Sequence, residues 1–227
     1  MTSAQTPPAE PLAQRTLGDI AASLPGSTAV FRAHKLDFCC GGNVTLRDAA
    51  ARKGLSADAI AGQLSALQPT AGADVPESNE ALIDHIVSRY HEVHRRELPE
   101  LIRLATRVEA VHRENPDVPA GLAAALRTLQ ADLEAHMQKE EMALFPMIRQ
   151  GVPMVVHPIA VMRGEHDEHG ERLREIERLA HQGQLPPGAC NTWRALYLGV
   201  RKLIDDLMEH IHLENNVLFA RCERRDA

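Results

Sequence analysis

The sequence predicts an all-α protein, a small helical N-terminal domain followed by an up-down four-helix bundle. Three observations carry this. Aromatic residues make up only 3% of the chain while alanine and leucine abound. Four long stretches with helical apolar spacing are separated by connectors rich in proline and glycine. Two of those stretches repeat each other residue for residue. Short connections between long helices favour antiparallel neighbours, and four of them in sequence make a bundle.

The elements follow in chain order. Residues 15–68 read as a short helical domain, cut into pieces by the breaks at Pro25-Gly26 and Gly41-Gly42. Ser27 is a good helix start, and Thr45 with Asp48 three residues on resembles a capping box. "PTAGADVPES", residues 69–78, has the composition of a linker. The bundle occupies 79–224, with helices over roughly 79–113, 119–150, 158–182 and 189–224, separated by "ENPDVP", "GVPMVVHP" and "QGQLPPGA".

The second and fourth helices share one seam. In the second, Leu122, Leu126, Leu129, Leu133, His136 and Glu140 are spaced 4, 3, 4, 3, 4. In the fourth, Leu196, Val200, Leu203, Leu207, His210 and Glu214 repeat that spacing. This alternation is the inward stripe of a packed helix. The histidine and glutamate of each copy therefore stand where core residues belong.

Residues four apart on a helix lie on one face, about 6 Å apart along the axis, so each His-x-x-x-Glu pair can offer a nitrogen and a carboxylate to one centre. Glu140, rather than its neighbour Glu141, has that spacing from His136. The third helix puts His166 and His169 on its seam in "GEHDEHG", and the first carries His85 beside Leu82 and Ile86 at a similar depth from the same end. Glu165 flanks the site, either bonded to a site residue or solvated. His91, His94, His112, His157, His181 and His212 lack the seam spacing and read as solvated or capping residues. Burying two carboxylates without cationic partners is very costly, and Lys139, Arg149 and Lys202 fall off the seam. A dinuclear metal centre resolves that charge, with ligands suited to iron, manganese or zinc. The pattern is neither the Glu-x-x-His repeat of ferritin-like bundles nor the His-Glu-x-x-His of zinc proteases.

Charge and hydropathy exclude other classes. The formal net charge is −6 with no lysine- or arginine-rich block, which argues against nucleic acid and anionic lipid as partners. No stretch approaches the roughly 18 apolar residues of a membrane span. The first fifteen residues lack the basic-then-apolar order of a signal peptide, and four cysteines do not make a disulfide scaffold, so the expected compartment is the cytoplasm.

With "DFCCGGN", "HMQKEEMALFPMI" and "EHIHLENNVLF" in view, residues 15 to 224 resemble the di-iron iron–sulfur cluster repair proteins, the Repair of Iron Centres family, with a hemerythrin-like C-terminal domain. The resemblance implies a cofactor of two iron ions, a non-haem, oxo-bridged di-iron centre. Its four histidines and two bridging glutamates carry over to His85, His136, Glu140, His166, His210 and Glu214. It further implies repair of iron–sulfur clusters damaged by nitrosative or oxidative stress, by donating iron and with nitric oxide binding at the reduced centre. The implied partners are damaged iron–sulfur proteins, nitric oxide and a second copy in a homodimer. Two alternatives stay open: a hemerythrin-like sensor of nitric oxide or oxygen, and an enzyme reducing nitric oxide to nitrous oxide. A structural zinc site is a third.

Cys39 and Cys40 form the remaining motif. Adjacent cysteines close only a strained ring, whereas reduced thiols are soft ligands for iron and partners in thiol exchange. Gly41 and Gly42 are expected to permit a positive-φ turn and leave both thiols accessible, for thiol or iron transfer. Small residues packed in a mini-core are the competing reading, as they are for the isolated Cys190 and Cys222.

Overall fold

A computed structural model describes residues 10–67, 75–152 and 155–226. The predicted linker lies mostly outside them. The chain divides into two compact units, Met1–Asp74 and Val75–Ala227. The regular secondary structure among the described residues is helical, apart from one isolated antiparallel bridge between Thr16 and Thr45. None of the described helices is long and apolar enough to cross a membrane.

The first unit holds four short helices, Leu17–Ser23, Ser27–Ala33, Leu46–Arg52 and Ala57–Ser65. Thr16, Thr45 and Ser56 each cap one by accepting the backbone N–H three residues on, which satisfies donors that a helix start leaves open. Thr45 also donates its hydroxyl to Asp48 at 2.8 Å. Ser27 is not a cap: Gly26 takes that position at φ +86°, where a side chain is disfavoured, and the buried Ser27 hydroxyl donates to the Ile20 carbonyl. Phe31, Leu36, Phe38, Leu46, Ile60 and Leu64 are fully buried and form the centre of this unit.

The second unit is the bundle. Its first helix runs Asn79–Ile86, then a π-helical turn Val87–His91, then Glu92–Val111. The second runs Leu122–Lys139, a π turn Glu140–Leu144, and Phe145–Arg149. The third, Val156–Leu179, is uninterrupted. The fourth runs Asn191–His212, a π turn Leu213–Leu218, and Phe219–Asp226. The first and third helices each pack against the second and fourth, so the four rods form a closed square. Leu122, Leu126, Leu129, Leu133, Leu196, Val200, Leu203 and Leu207 are all buried, and this seam fills one half of the bundle. Leu82, Ile86, Phe145, Ile159, Leu218 and Phe219 belong to an apolar cluster at the opposite end. Between the two lies a layer of buried histidine and glutamate.

Candidate metal centre

Six side chains converge in that layer: His91, His136, Glu140, His166, His210 and Glu214, none more than 1% exposed. They make two overlapping groups, His91, Glu140, His210, Glu214 and His136, Glu140, His166, Glu214. Within each group the candidate ligand atoms all lie within 4.8 Å of one another. Both carboxylates belong to both groups. The two groups are also built alike: His91 Nε2 lies 3.0 Å from His210 Nε2, and His136 Nε2 lies 3.0 Å from His166 Nε2.

Five of the six residues expected from sequence meet here, and His85 does not. Its place is taken by His91, which the seam analysis set aside as solvated. His85 is half-buried, with its ring against Tyr90 at 5.8 Å. The physical reason is depth and register together. His91 lies about 9 Å further along the helix axis than His85 at ~1.5 Å per residue. The π turn Val87–His91 then inserts an extra residue, so that Tyr90, His91 and His94 all face inward. A clue was available: about 18 Å from the start of its helix, His91 matches the depth of His136, which lies a similar distance from the end of the second helix.

The π turns recur with purpose. Each contains one site residue, His91, Glu140 or Glu214, and π turns are frequent where a helix must aim side chains at a function. The second turn sends Glu140 inward, while Glu141 reaches across to accept from His91 Nδ1 at 2.7 Å and from Arg95 at 2.8 Å. Glu165 does the equivalent for the other group, accepting from His136 Nδ1 at 2.9 Å while Lys139 bonds its second oxygen. Asn215 Oδ1 lies 2.9 Å from His166 Nδ1. Three of the four imidazoles are thus anchored through the nitrogen that faces away from the centre, which fixes ring orientation and tautomer.

The electrostatics are those of two carboxylates buried among imidazoles. Both oxygens of Glu140 and Oε2 of Glu214 are buried without a hydrogen-bond partner. Glu214 Oε2 does lie 3.1 Å from His166 Nε2, but out of hydrogen-bond alignment. Burial pushes the Glu214 carboxyl up, yet His210, His166 and His91 together hold it well below the ordinary range. Burial works against a charge on His136, but Glu140, Glu214 and Glu165 push it up to about 9. Burial also opposes a charge on His91, which Glu214, Glu140 and Glu141 nevertheless raise. Protons on imidazoles thus stand in for positive charge that two buried carboxylates require. Apolar residues in these six positions would stabilise the fold by about 1.5–3 kcal/mol each, so the layer sacrifices core stability. The donor set of imidazole and carboxylate, with orphaned oxygens directed at shared points, fits two adjacent divalent cations.

Flanking histidines complete the layer. His169 lies outside both groups, its ring edge-on to His136 at 4.9 Å, and burial drives it down to about 3. His94 stands beside His210 at 5.4 Å between ring centres, and burial drives it to about 2. His212 is buried and bonded to Asn216. Burial favours the neutral form of all three, and His94 and His212 are buried rather than solvated.

The structure also gathers Asp37, Cys39 and Cys40 within ligand range. Asp37 Oδ1 accepts from the backbone of Cys40 and Gly41, at 3.0 and 3.2 Å, and from the Cys39 thiol. The sulfurs stand 3.8 Å apart and are not joined in a disulfide. The expectation of two accessible thiols fails for Cys39, which is only 4% exposed. Its hydrogen bond to Cys40 and its burial raise that thiol well above the ordinary range. Nor does Gly41 adopt positive φ; a Cβ there would stand 2.8 Å from the Asp37 carbonyl, so glycine is needed for space. Cys190 is paired with His112 at 3.2 Å, and Cys222 is buried.

Comparison with known proteins agrees with this geometry. Residues 82–222 match the hemerythrin HHE cation binding domain, and residues 13–68 match a domain of unknown function, DUF542. Proteins named iron-sulfur cluster repair protein YtfE from Escherichia coli O1:K1, Escherichia fergusonii and Citrobacter koseri are each 50% identical over 209 residues, covering 91% of this chain and 95% of theirs.

Proposed function

Because this chain belongs to the hemerythrin HHE family and, over nine-tenths of its length, to the iron–sulfur cluster repair proteins, we propose that it restores iron–sulfur clusters damaged by nitrosative or oxidative stress. The observation that carries the reading is the pair of four-residue groups sharing Glu140 and Glu214. His91, His136, His166 and His210 would hold two irons, with Glu140 and Glu214 bridging them. When bound, the irons supply redox-active positions from which iron is donated and at which nitric oxide binds.

The chain's own residues set the terms. Glu141 and Glu165 fix His91 and His136 from behind, and Arg95 and Lys139 hold those carboxylates in their charged form. The surrounding apolar cluster keeps bulk water from the layer and strengthens each charge interaction within it. Eight ligand contributions shared between two six-coordinate ions leave exchangeable positions, which suits release and small-molecule binding better than permanent storage. Cys40, the more exposed of the two cysteines in the Asp37–Cys39–Cys40 group, is the thiol suited to receive or pass iron. The partners in this reading are damaged iron–sulfur proteins in the cytoplasm.

The test is iron content and visible spectrum of the purified chain, then reactivation of a nitric-oxide-damaged cluster enzyme. The expected result is two irons per chain and recovery that depends on them. A colourless protein holding zinc overturns the reading. Reversible gas binding without reactivation assigns a sensor, and nitrous oxide formed from excess nitric oxide by the reduced protein assigns an enzyme. Cys39→Ser/Cys40→Ser is expected to keep both irons while reactivation falls.

A further inference from the structure

The two halves of the layer look symmetric in what faces inward and differ in what stands behind. A histidine that binds metal through Nε2 carries its proton on Nδ1, and an acceptor for that proton fixes the ring and makes Nε2 a better donor. In the His136–His166 pair both Nδ1 atoms have partners, Glu165 at 2.9 Å and Asn215 at 2.9 Å. In the His91–His210 pair only His91 has one, Glu141 at 2.7 Å. His210 Nδ1 is buried and has no hydrogen-bond partner among the described residues. Rings are its close neighbours: Tyr90 stacks on it at 5.5 Å and His94 lies at 5.4 Å between ring centres. The nearby Asp206 carboxylate is engaged by Arg89 and Lys202.

Packing does not make up the difference. His91 stacks on Phe145, His166 on Phe219 and His210 on Tyr90, at 5.8, 6.0 and 5.5 Å, while His136 meets His169 edge-on at 4.9 Å. Every ring is braced by an aromatic neighbour, so the missing hydrogen bond is what separates them. Nor do the carboxylates, since Glu140 and Glu214 serve both groups.

We infer that the two metal positions are unequal, and that the ion held by His91 and His210 is the labile one, the ion this protein gives up. The inference rests on the di-iron repair reading and extends it by naming which ion moves. From the reduced centre that ion would leave as a hydrated divalent cation with no further change of oxidation state; His91 and His210 would return to free imidazoles, and Glu140 and Glu214 would stay with the ion held by His136 and His166. A chain built this way keeps a loaded, charge-compensated core after donation and is refilled without reassembling the site.

The test uses metal-free full-length protein and cobalt(II), which needs no reductant. Calorimetric titration is expected to give two steps, the second about ten- to a hundredfold weaker, the range over which loss of such an outer hydrogen bond changes metal affinity. Crystals grown with one equivalent of cobalt are expected to show anomalous density between His136 and His166. Glu141→Leu should weaken only the second step. Asn215→Leu should weaken the first and bring the two together, while Asn215→Asp, which keeps an acceptor, should preserve the order. A stoichiometry other than two overturns the dinuclear reading and this inference with it. Two ions of equal affinity, or a first ion between His91 and His210, overturns the inference alone.

Discussion

Replacing His91 by alanine removes the one ring of the first bundle helix that belongs to the two four-residue groups. Its Nε2 lies 3.5 Å from Glu140 and 3.8 Å from Glu214, and its Nδ1 holds Glu141. Breaking a buried charged arrangement by deleting one partner costs about 3–5 kcal/mol. At about 1.4 kcal/mol per tenfold, that weakens binding at the His91–His210 position by roughly two to three and a half decades. The other position keeps its own two histidines, so one metal per chain should remain. His85→Ala is the paired control. That ring is half-buried and has Tyr90 as its aromatic neighbour, and a surface change of this kind shifts free energies by about 0.5 kcal/mol or less, less than about threefold in affinity. The assay is iron per chain after equilibrium dialysis against a chelator, with helical content by circular dichroism to exclude unfolding. Iron loss in His85→Ala equal to or greater than that in His91→Ala refutes the assignment and returns the ligand role to His85.

Other outcomes follow from the same geometry. Glu140→Ala and Glu214→Ala should each cost more than half the iron, because each carboxylate serves both groups; Glu141→Ala should lose at most one metal, and equal loss in all three would remove the distinction between bridging and supporting glutamates. His166→Ala should disturb the visible spectrum far more than His169→Ala, since His169 stands outside both groups; the reverse result transfers the role. Without metal, stability should peak near neutral pH. His136, raised to about 9 in the fold, contributes stability that is present below its unfolded value of about 6.5 and lost as pH climbs through about 9. His94, His169 and His212, lowered to about 2, 3 and 4, contribute stability that is present above that value and lost in acid. Urea midpoints of the metal-free chain between pH 5 and 9.5 test this, and a midpoint that rises steadily from pH 7 to 9.5 contradicts it.

The sequence by itself determined the class of the fold, the two seams and five of the six converging residues. Those are consequences of periodicity: a 4, 3, 4, 3, 4 run fixes which residues share a face, and His136, Glu140, His210 and Glu214 sit on it. Their matched copies carried the charge argument for a metal. What the seam could not supply was depth and local winding on the first helix. An α-helical pattern assumes 3.6 residues per turn, and the π turn at Val87–His91 breaks that count just where His91 lies. Leu82 and Ile86 therefore pointed to His85 while the helix delivers His91. Tertiary structure alone also decided what stands behind each ring. Glu141 with His91, Glu165 with His136 and Asn215 with His166 are contacts between different helices, and His210 Nδ1 has no counterpart among the described residues. The burial of Cys39 was likewise not legible from its neighbours in the chain, although its contacts with Asp37 and Cys40 are local. Periodicity reports the face that a residue takes on its own helix; the partner it meets there is set by the packing of the other three.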